Sequence, residues 1–390
     1  MRDLAHTISA ERGRSIELDF VRGVAIIMVM GMHFHTVTTG YPLLAMIEYP
    51  FKQYGREGVN LFFTLSGFLV GGLLLRQYAQ GGQVDASRFI VRRIFKIWPA
   101  YYALILFHVL VGRHASDTFL YQNLAHLQNY LGSSLAQTWS LAVEEHFYLF
   151  LPALLLLLSR WRASASAILW TLGALCAAVL VARCAVVAAG DLHAAAFYTQ
   201  YRIDSLLIGV MLATVYWMLP DAYQRLARNK TLLLALVLAL VAWLGWLQKA
   251  LAAEESVGYT IQAIGFVALI VLVLEYSAAL RNARLYRMVA WTGVYSYGIY
   301  LWHSLALAPG DVFIRKALAF GAPVPLVWAA VLVLQFGLAV GIGFVTTRAI
   351  EFPCLRLRDA LFPPRQRRAP EADGGTVEGA AAMPGKPPTA

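Results

Sequence analysis

The sequence predicts an all-α fold, a polytopic membrane bundle of about ten transmembrane helices with both termini in the cytoplasm. Three observations carry that expectation. Of 390 residues, 59% are apolar and only 14% charged, with mean hydropathy +0.60. Soluble domains run nearer half apolar and a quarter charged, so the surplus apolar surface requires lipid. The apolar residues form runs close to the 20 or so that a spanning helix needs. Finally, the formal charge of +10 is spread as short basic clusters between those runs.

The runs place spans at roughly 23–41, 58–76, 97–112, 138–159, 166–189, 198–219, 231–248, 257–275, 289–309 and 324–348. Every second loop is basic. One side carries Arg12, Arg14 and Arg22, then Arg76, Arg88, Arg92, Arg93 and Lys96, then Arg160 and Arg162. Arg225, Arg228, Lys230, Arg281, Arg284, Arg287, Arg348, Arg356 and Arg358 continue it. The other side holds few cations, and positive residues favour the cytoplasm. This placement accounts for the basic balance without a nucleic-acid partner. The polar N-terminus is too long for a cleaved leader, so the first run is read as a retained span. The Pro- and Gly-rich stretch 363–390 reads as a disordered cytoplasmic tail after a membrane domain at 1–362, with no room for a second folded domain. Cys176, Cys184 and Cys354 lack metal or disulfide spacing and read as small hydrophobes; no metal site is expected.

Ionisable residues inside spans are costly and mark either function or structural pairing. His33 and His35 lie in the first run and point roughly opposite ways on a regular helix. Arg22 lies eleven residues earlier, about 16 Å along the axis. An imidazole that titrates near pH 7, above an arginine, suits general-base work. Glu144, Glu145 and His146 are consecutive in TWSLAVEEHFYLFLP, Arg202 and Asp204 lie in YRIDSLLIG, and His303 ends SYGIYLWH. Together they describe a polar chamber, or a set of pairs holding the bundle together. Ser66, in GREGVNLFFTLSGFLVGG, reads as a small packing residue rather than a nucleophile. The run RQYAQGGQVDASRFIVRRIFKIWP anchors the interface, or grips a polyanionic ligand from the cytoplasm.

Taken in order, these motifs resemble acyltransferase family 3, the membrane O-acyltransferases of envelope and exopolysaccharide sugars. ELDFVRGVAIIMVMGMH supplies an arginine and a histidine separated by ten residues, here Arg22 and His33. GVNLFFTLSGFL resembles the family's SGF segment. RRIFKIWP resembles its basic run, with Lys96 where an arginine is usual. TWSLAVEEHFY matches at Trp139, Ser140, Glu144, Phe147 and Tyr148, with His146 replacing a glutamine. RIDSLLIG, SYGIYLWH and EFP at Glu351 to Pro353 complete the series, which spans residues 17 to 353.

The resemblance implies transfer of an acyl group, most often acetyl, from cytoplasmic acetyl-CoA or another acyl-CoA to a sugar hydroxyl. It makes His33 the catalytic base, Arg22 its partner or a donor contact, and Glu144 the third member of the catalytic group. Arg92, Arg93 and Lys96 become contacts for the donor's phosphates. Ser66, Trp139, Glu145, Arg202, Asp204 and His303 line the chamber. The implied partners are a glycan or other hydroxyl-bearing acceptor, the lipid bilayer and polysaccharide assembly machinery, and the implied location is a bacterial inner membrane. His33 either deprotonates the acceptor or carries the acyl group. The rival reading is a transporter or flippase of a lipid-linked sugar or acyl donor, which would show no thioester turnover.

Overall fold

A computed structural model describes residues 15–112, 117–133, 135–247 and 251–363. The expected tail lies beyond them, apart from Pro363. Among the described residues the chain is all-helical, with no strand. We number the principal helices α1 (Ile16–His33), α2 (Pro42–Tyr54), α3 (Glu57–Gly81), α4 (Ala86–Leu110), α5 (Trp139–Arg160), α6 (Ala165–Ala188), α7 (Thr199–Met218), α8 (Pro220–Arg228) and α9 (Lys230–Leu247). They continue as α10 (Tyr259–Tyr276), α11 (Arg284–Val294), α12 (Ser296–Trp302), α13 (Leu307–Ala319), α14 (Val324–Thr346) and α15 (Phe352–Leu361).

Local chemistry sets many of the ends. Ser15 caps α1 by accepting from the Leu18 N–H, Asp85 caps α4 through Arg88 N–H, and Ser164 caps α6 through Ala167 N–H. Gly82, at φ 65°, closes α3 in the left-handed region.

Among the described residues, six helical segments are long and apolar enough to cross a membrane: Glu57–Gly81, Ala86–Leu110, Ala136–Arg160, Ala165–Ala188, Glu254–Tyr276 and Val324–Leu361. A seventh arises if Leu192–Met218 and Pro220–Arg228, bent by 111°, count as one. Three expected spans differ for physical reasons. α1 carries Glu17, Asp19 and Arg22 within its 18 residues. α9 offers only a short apolar stretch, Lys230–Gly245. The run at 289–309 is not one helix: it breaks at Tyr295 and tightens to a 3-10 turn at His303–Ala306. There the His303 side chain takes the Tyr300 carbonyl, competing with the backbone for it. The bend after α7 falls before Pro220, whose missing N–H and ring favour a fresh helix start.

Two helix crossings organise the bundle, and both depend on glycine. A Cβ at Gly67 would stand 1.9 Å from the Leu206 carbonyl oxygen, and one at Gly209 2.1 Å from that of Thr64, so the α3 and α7 backbones touch. At the α1–α11 crossing the corresponding distances are 1.9 Å for Gly23 to Val289 and 1.8 Å for Gly293 to Asp19. Small residues permit such approach where lipid offers no hydrophobic drive between helices. The outer helices show the opposite face. Only 17% of the apolar window of α6 is buried, and Trp170 on it is 80% exposed, as a lipid-facing surface requires.

Candidate active site

α1 ends at His33, and this places its imidazole against the 3-10 turn that begins at His303. The two rings lie 5.0 Å apart at 61°. His33 Nδ1 is 2.8 Å from the Val29 carbonyl and His303 Nδ1 is 2.8 Å from that of Tyr300. A carbonyl only accepts, so each Nδ1 carries a proton, and in the neutral ring the lone pair is then on Nε2. Two imidazoles with basic Nε2 atoms therefore share one site. Tyr300, whose ring is 6.0 Å from His303, has its hydroxyl 2.7 Å from the Gln137 carbonyl and 2.7 Å from Ser140 Oγ. Gln137 in turn donates to Ser304 at 3.1 Å. An apolar cleft of about 720 Å³, lined in part by Phe107, Ser304 and Phe313, opens beside this group.

One helical turn beyond Ser140, Glu144 accepts from Ser66 and Tyr148. The Ser66 and Tyr148 hydroxyls are themselves 3.0 Å apart. Glu145 takes Trp98 Nε1 at 3.1 Å and leaves its other oxygen without a partner. The Arg93 guanidinium lies over the rings of Phe89 and Tyr148, at 5.4 and 5.9 Å, with its Nε unpartnered. It acts on both carboxylates through space. Its neighbours are engaged elsewhere. Arg92 pairs with Asp359 at 3.4 Å, Lys96 with Glu351, and Arg88 with the carbonyls of Phe362 and Pro363. The basic run of α4 is thus faced by α15 and the π-turn before it.

Arg202 and Asp204 are two residues apart on α7, and the helix sends them to different neighbours. Asp204 meets Arg183, both fully buried. All five guanidinium N–H bonds are used: two on the carboxylate at 2.8 and 2.9 Å, and the rest on Tyr201, Ser256 and Thr260, each at 2.6 Å. Such a satisfied bidentate pair is a structural arrangement. Arg202 instead stacks 3.4 Å above Tyr259, near Trp139 and Phe63, and bonds Asn60. Asn60 links it to Glu57 at 2.6 Å and Gln262 at 2.7 Å. Arg56 closes this network on Glu254, Glu255 and Tyr259.

The chain leaving His33 is an extended strap held from three sides. Gln335 on α14 clamps the His35 backbone, accepting its N–H at 3.1 Å and donating to its carbonyl at 2.6 Å. Lys52 donates to the Met32 and Phe34 carbonyls, and burial pulls its ammonium below the ordinary lysine range against the pull of Glu48. Thr36 donates to Glu48, and the His35 ring bonds Asp311 at 2.8 Å.

The structure thus gathers His33, His303, Ser140 and Tyr300 into one group, with Glu144 one turn from Ser140 and Ser66 against Glu144. Glu145 and Arg93 join that second group. Trp139 lies with Arg202. Arg22 stays on the far end of α1, paired with Asp19 at 3.0 Å, and does not touch His33. Tyr300, Ser140, Tyr148 and Asn60 stood inside motifs already singled out, but a hydroxyl or amide in an apolar run carries no local mark of its partner. Gln335 and Gln262 were visible only as lone amides in apolar helices, a signal that hydropathy averages away. Among the described residues no group of three His, Cys, Asp or Glu is placed to hold a metal ion.

A family model described as an acyltransferase domain matches residues 15–346. The chain is 29% identical over 317 residues to a Bacillus subtilis protein provisionally named as the peptidoglycan O-acetyltransferase YrhL, covering 73% of this chain and 47% of the relative. It is 25% identical over 313 residues to the peptidoglycan O-acetyltransferase OatA of Listeria monocytogenes, covering 73% and 48%. A Staphylococcus aureus protein provisionally named as an O-acetyltransferase is 24% identical over 225 residues, covering 51% and 34%. The chain therefore spans about half the length of the first two relatives. No solved structure matches.

Proposed function

Since the chain belongs to the acyltransferase domain family, we propose that it is a membrane O-acetyltransferase moving acetyl from cytoplasmic acetyl-CoA to a hydroxyl of an envelope glycan, with His33 as general base. The names of the relatives support a glycan acceptor, with peptidoglycan the first to test. In this reading about ten segments cross a bacterial inner membrane with both termini cytoplasmic, and the shorter α1, α9 and the broken 284–319 region count among them. Polysaccharide assembly machinery would deliver or receive the glycan.

One observation supports the mechanism: the His33 Nδ1 bond to the Val29 carbonyl, which in the neutral ring fixes the tautomer whose free lone pair is on Nε2. Nε2 accepts the proton of the acceptor hydroxyl as its oxygen attacks the thioester carbonyl. The carbon–sulfur bond then breaks, and the imidazolium returns the proton to the departing CoA thiolate. His303, with the same tautomer 5.0 Å away, spaces the His33 ring and supplies a second acceptor. Glu144, hydrogen-bonded to Ser66 and Tyr148, balances charge on the donor side with Arg93. Arg92, Lys96 and Arg22 meet the donor from the cytoplasm, the first two exchanging Asp359 and Glu351 for phosphate. Arg202 and Trp139 line the acceptor side.

The test offers radiolabelled acetyl-CoA to purified protein in nanodiscs, with and without peptidoglycan fragments, for wild type and His33→Ala. Label on glycan from wild type alone supports the assignment. No turnover from folded protein, with uptake of a lipid-linked sugar instead, returns the transporter reading. Label trapped on His33 would replace the base with an acyl-histidine route.

A further inference from the structure

We propose that the cleft between the ends of α3 and α5 is a binding site for the phosphate groups of a ligand at the membrane surface. The cleft encloses about 640 Å³; Gly81, Gly82 and Gln83 line one wall and Ser159, Arg160 and Arg162 the other. That volume lies within the range of small-molecule sites.

Both walls are helix C-termini, so the attraction for an anion comes from the two arginine side chains. Among the described residues neither Arg160 nor Arg162 has a carboxylate partner. This sets them apart from Arg92 and Lys96, which hold Asp359 and Glu351 at the same end of the bundle. A free guanidinium presents a rigid fork of donors that matches phosphate oxygens. Arg162, at φ 50°, closes α5 in the left-handed region, with its N–H on the Ser159 carbonyl and that of Ala163 on Leu158, and both arginines line the same cleft. The facing wall is bare. A Cβ at Gly81 or Gly82 would meet nothing within 4 Å, so the backbone leaves room for a ligand. Trp161, 68% exposed, stands between the two arginines, and Leu156, 42% exposed, lines the cleft. An aromatic between cations beside an apolar wall marks the boundary between lipid and water.

Two sources supply phosphate at that boundary, a soluble nucleotide such as the adenosine bisphosphate end of CoA and the headgroup of an anionic lipid. The site uses neither His33 nor the α4 cluster, so it stands whether or not the chain transfers acetyl groups.

The experiment measures equilibrium binding by the full chain in phosphatidylcholine nanodiscs, with adenosine 3′,5′-bisphosphate titrated by calorimetry. Phosphatidylglycerol retention is followed in parallel by native mass spectrometry. Two independent changes are compared with wild type: Arg160→Gln with Arg162→Gln removes the charge, and Gly81→Trp fills the cleft and leaves the charge. Losing charge-assisted bonds to phosphate predicts that binding weakens about tenfold or more in the double variant. Gly81→Trp should weaken it comparably, and Arg→Lys at both positions should restore part of it. Weakened nucleotide binding identifies the soluble source, and weakened lipid retention alone identifies the headgroup; either supports the site. Wild-type protein that binds neither probe, or variants that bind both as wild type does, overturns it.

Discussion

Lys96 on α4 and Glu351 in the π-turn before α15 form an ion pair across 255 residues of chain. With Arg92–Asp359 and Arg88 on the Phe362 and Pro363 carbonyls, it lays the end of the helical domain over the basic run of α4. The same region holds Arg93 against two carboxylates. The two halves of the chain therefore meet where the donor is proposed to enter.

If His33 is the base, His33→Ala and His33→Gln should each lower kcat by about 10²–10⁴-fold, the usual contribution of a positioned proton acceptor. Glutamine keeps the polarity and loses the titratable nitrogen, so equal losses separate proton transfer from packing. Thermal unfolding of both variants should match wild type within a few degrees. Rates from acetyl-CoA at saturating donor check this.

Gln335→Leu should damage the site from a distance. Its amide is fully buried and makes both bonds to the His35 backbone. Removing it strands one donor and one acceptor, at about 1–3 kcal/mol each where water cannot reach them. The expected result is a lower unfolding midpoint together with a lower kcat. Gln335→Glu, which retains the acceptor, should recover part of both. A full kcat with a lowered midpoint would confine Gln335 to stability.

Asp204→Ala should behave differently. It leaves Arg183 charged and fully buried, a change that typically costs 3–5 kcal/mol. Folded yield should collapse, and whatever folds should retain near-normal kcat per molecule. Size-exclusion yield and specific activity of the surviving fraction separate the two quantities.

Acid should weaken the fold through His126, which lies between the short helices Asp117–Leu124 and Gln128–Leu131, outside the spanning helices. Burial, and then the neighbouring His146, lower its pKa to about 4. The ring stacks 5.0 Å from Tyr101. The folded chain keeps it neutral to about pH 4, whereas the unfolded chain protonates it near pH 6.5. Between those values the unfolded state binds more protons, so stability falls as pH drops through the window, by about 2–3 kcal/mol in all. His126→Phe should flatten that part of the profile in unfolding experiments on nanodiscs.

Much of this architecture was legible because a bilayer imposes a simple pattern. Apolar length gave the helical class and the position of most long helices. It did not give the break at Tyr295 or the bend before Pro220, because a hydropathy window averages over one or two residues while a break is made by single groups. The grouping of the polar residues was harder to read than their positions. Arg202 and Asp204 looked like one feature in RIDSLLIG, yet residues two apart on a helix diverge, and Asp204 found Arg183 on a neighbouring helix. Gln335 is the extreme case: nothing near it in sequence says that it meets a loop 300 residues away.

That separation has a consequence in time. At the 5–20 residues per second of translation, the strap behind His33 waits roughly 15–60 s for Gln335 to be synthesised. Lys96 waits nearly as long for Glu351. The first helices enter the membrane with their polar groups unclaimed and must be sheltered by water, lipid headgroups or the insertion machinery. Assembly of the candidate site is then a late event in biosynthesis, and a ribosome stalled before the last long helix would leave behind an inserted but unfinished bundle.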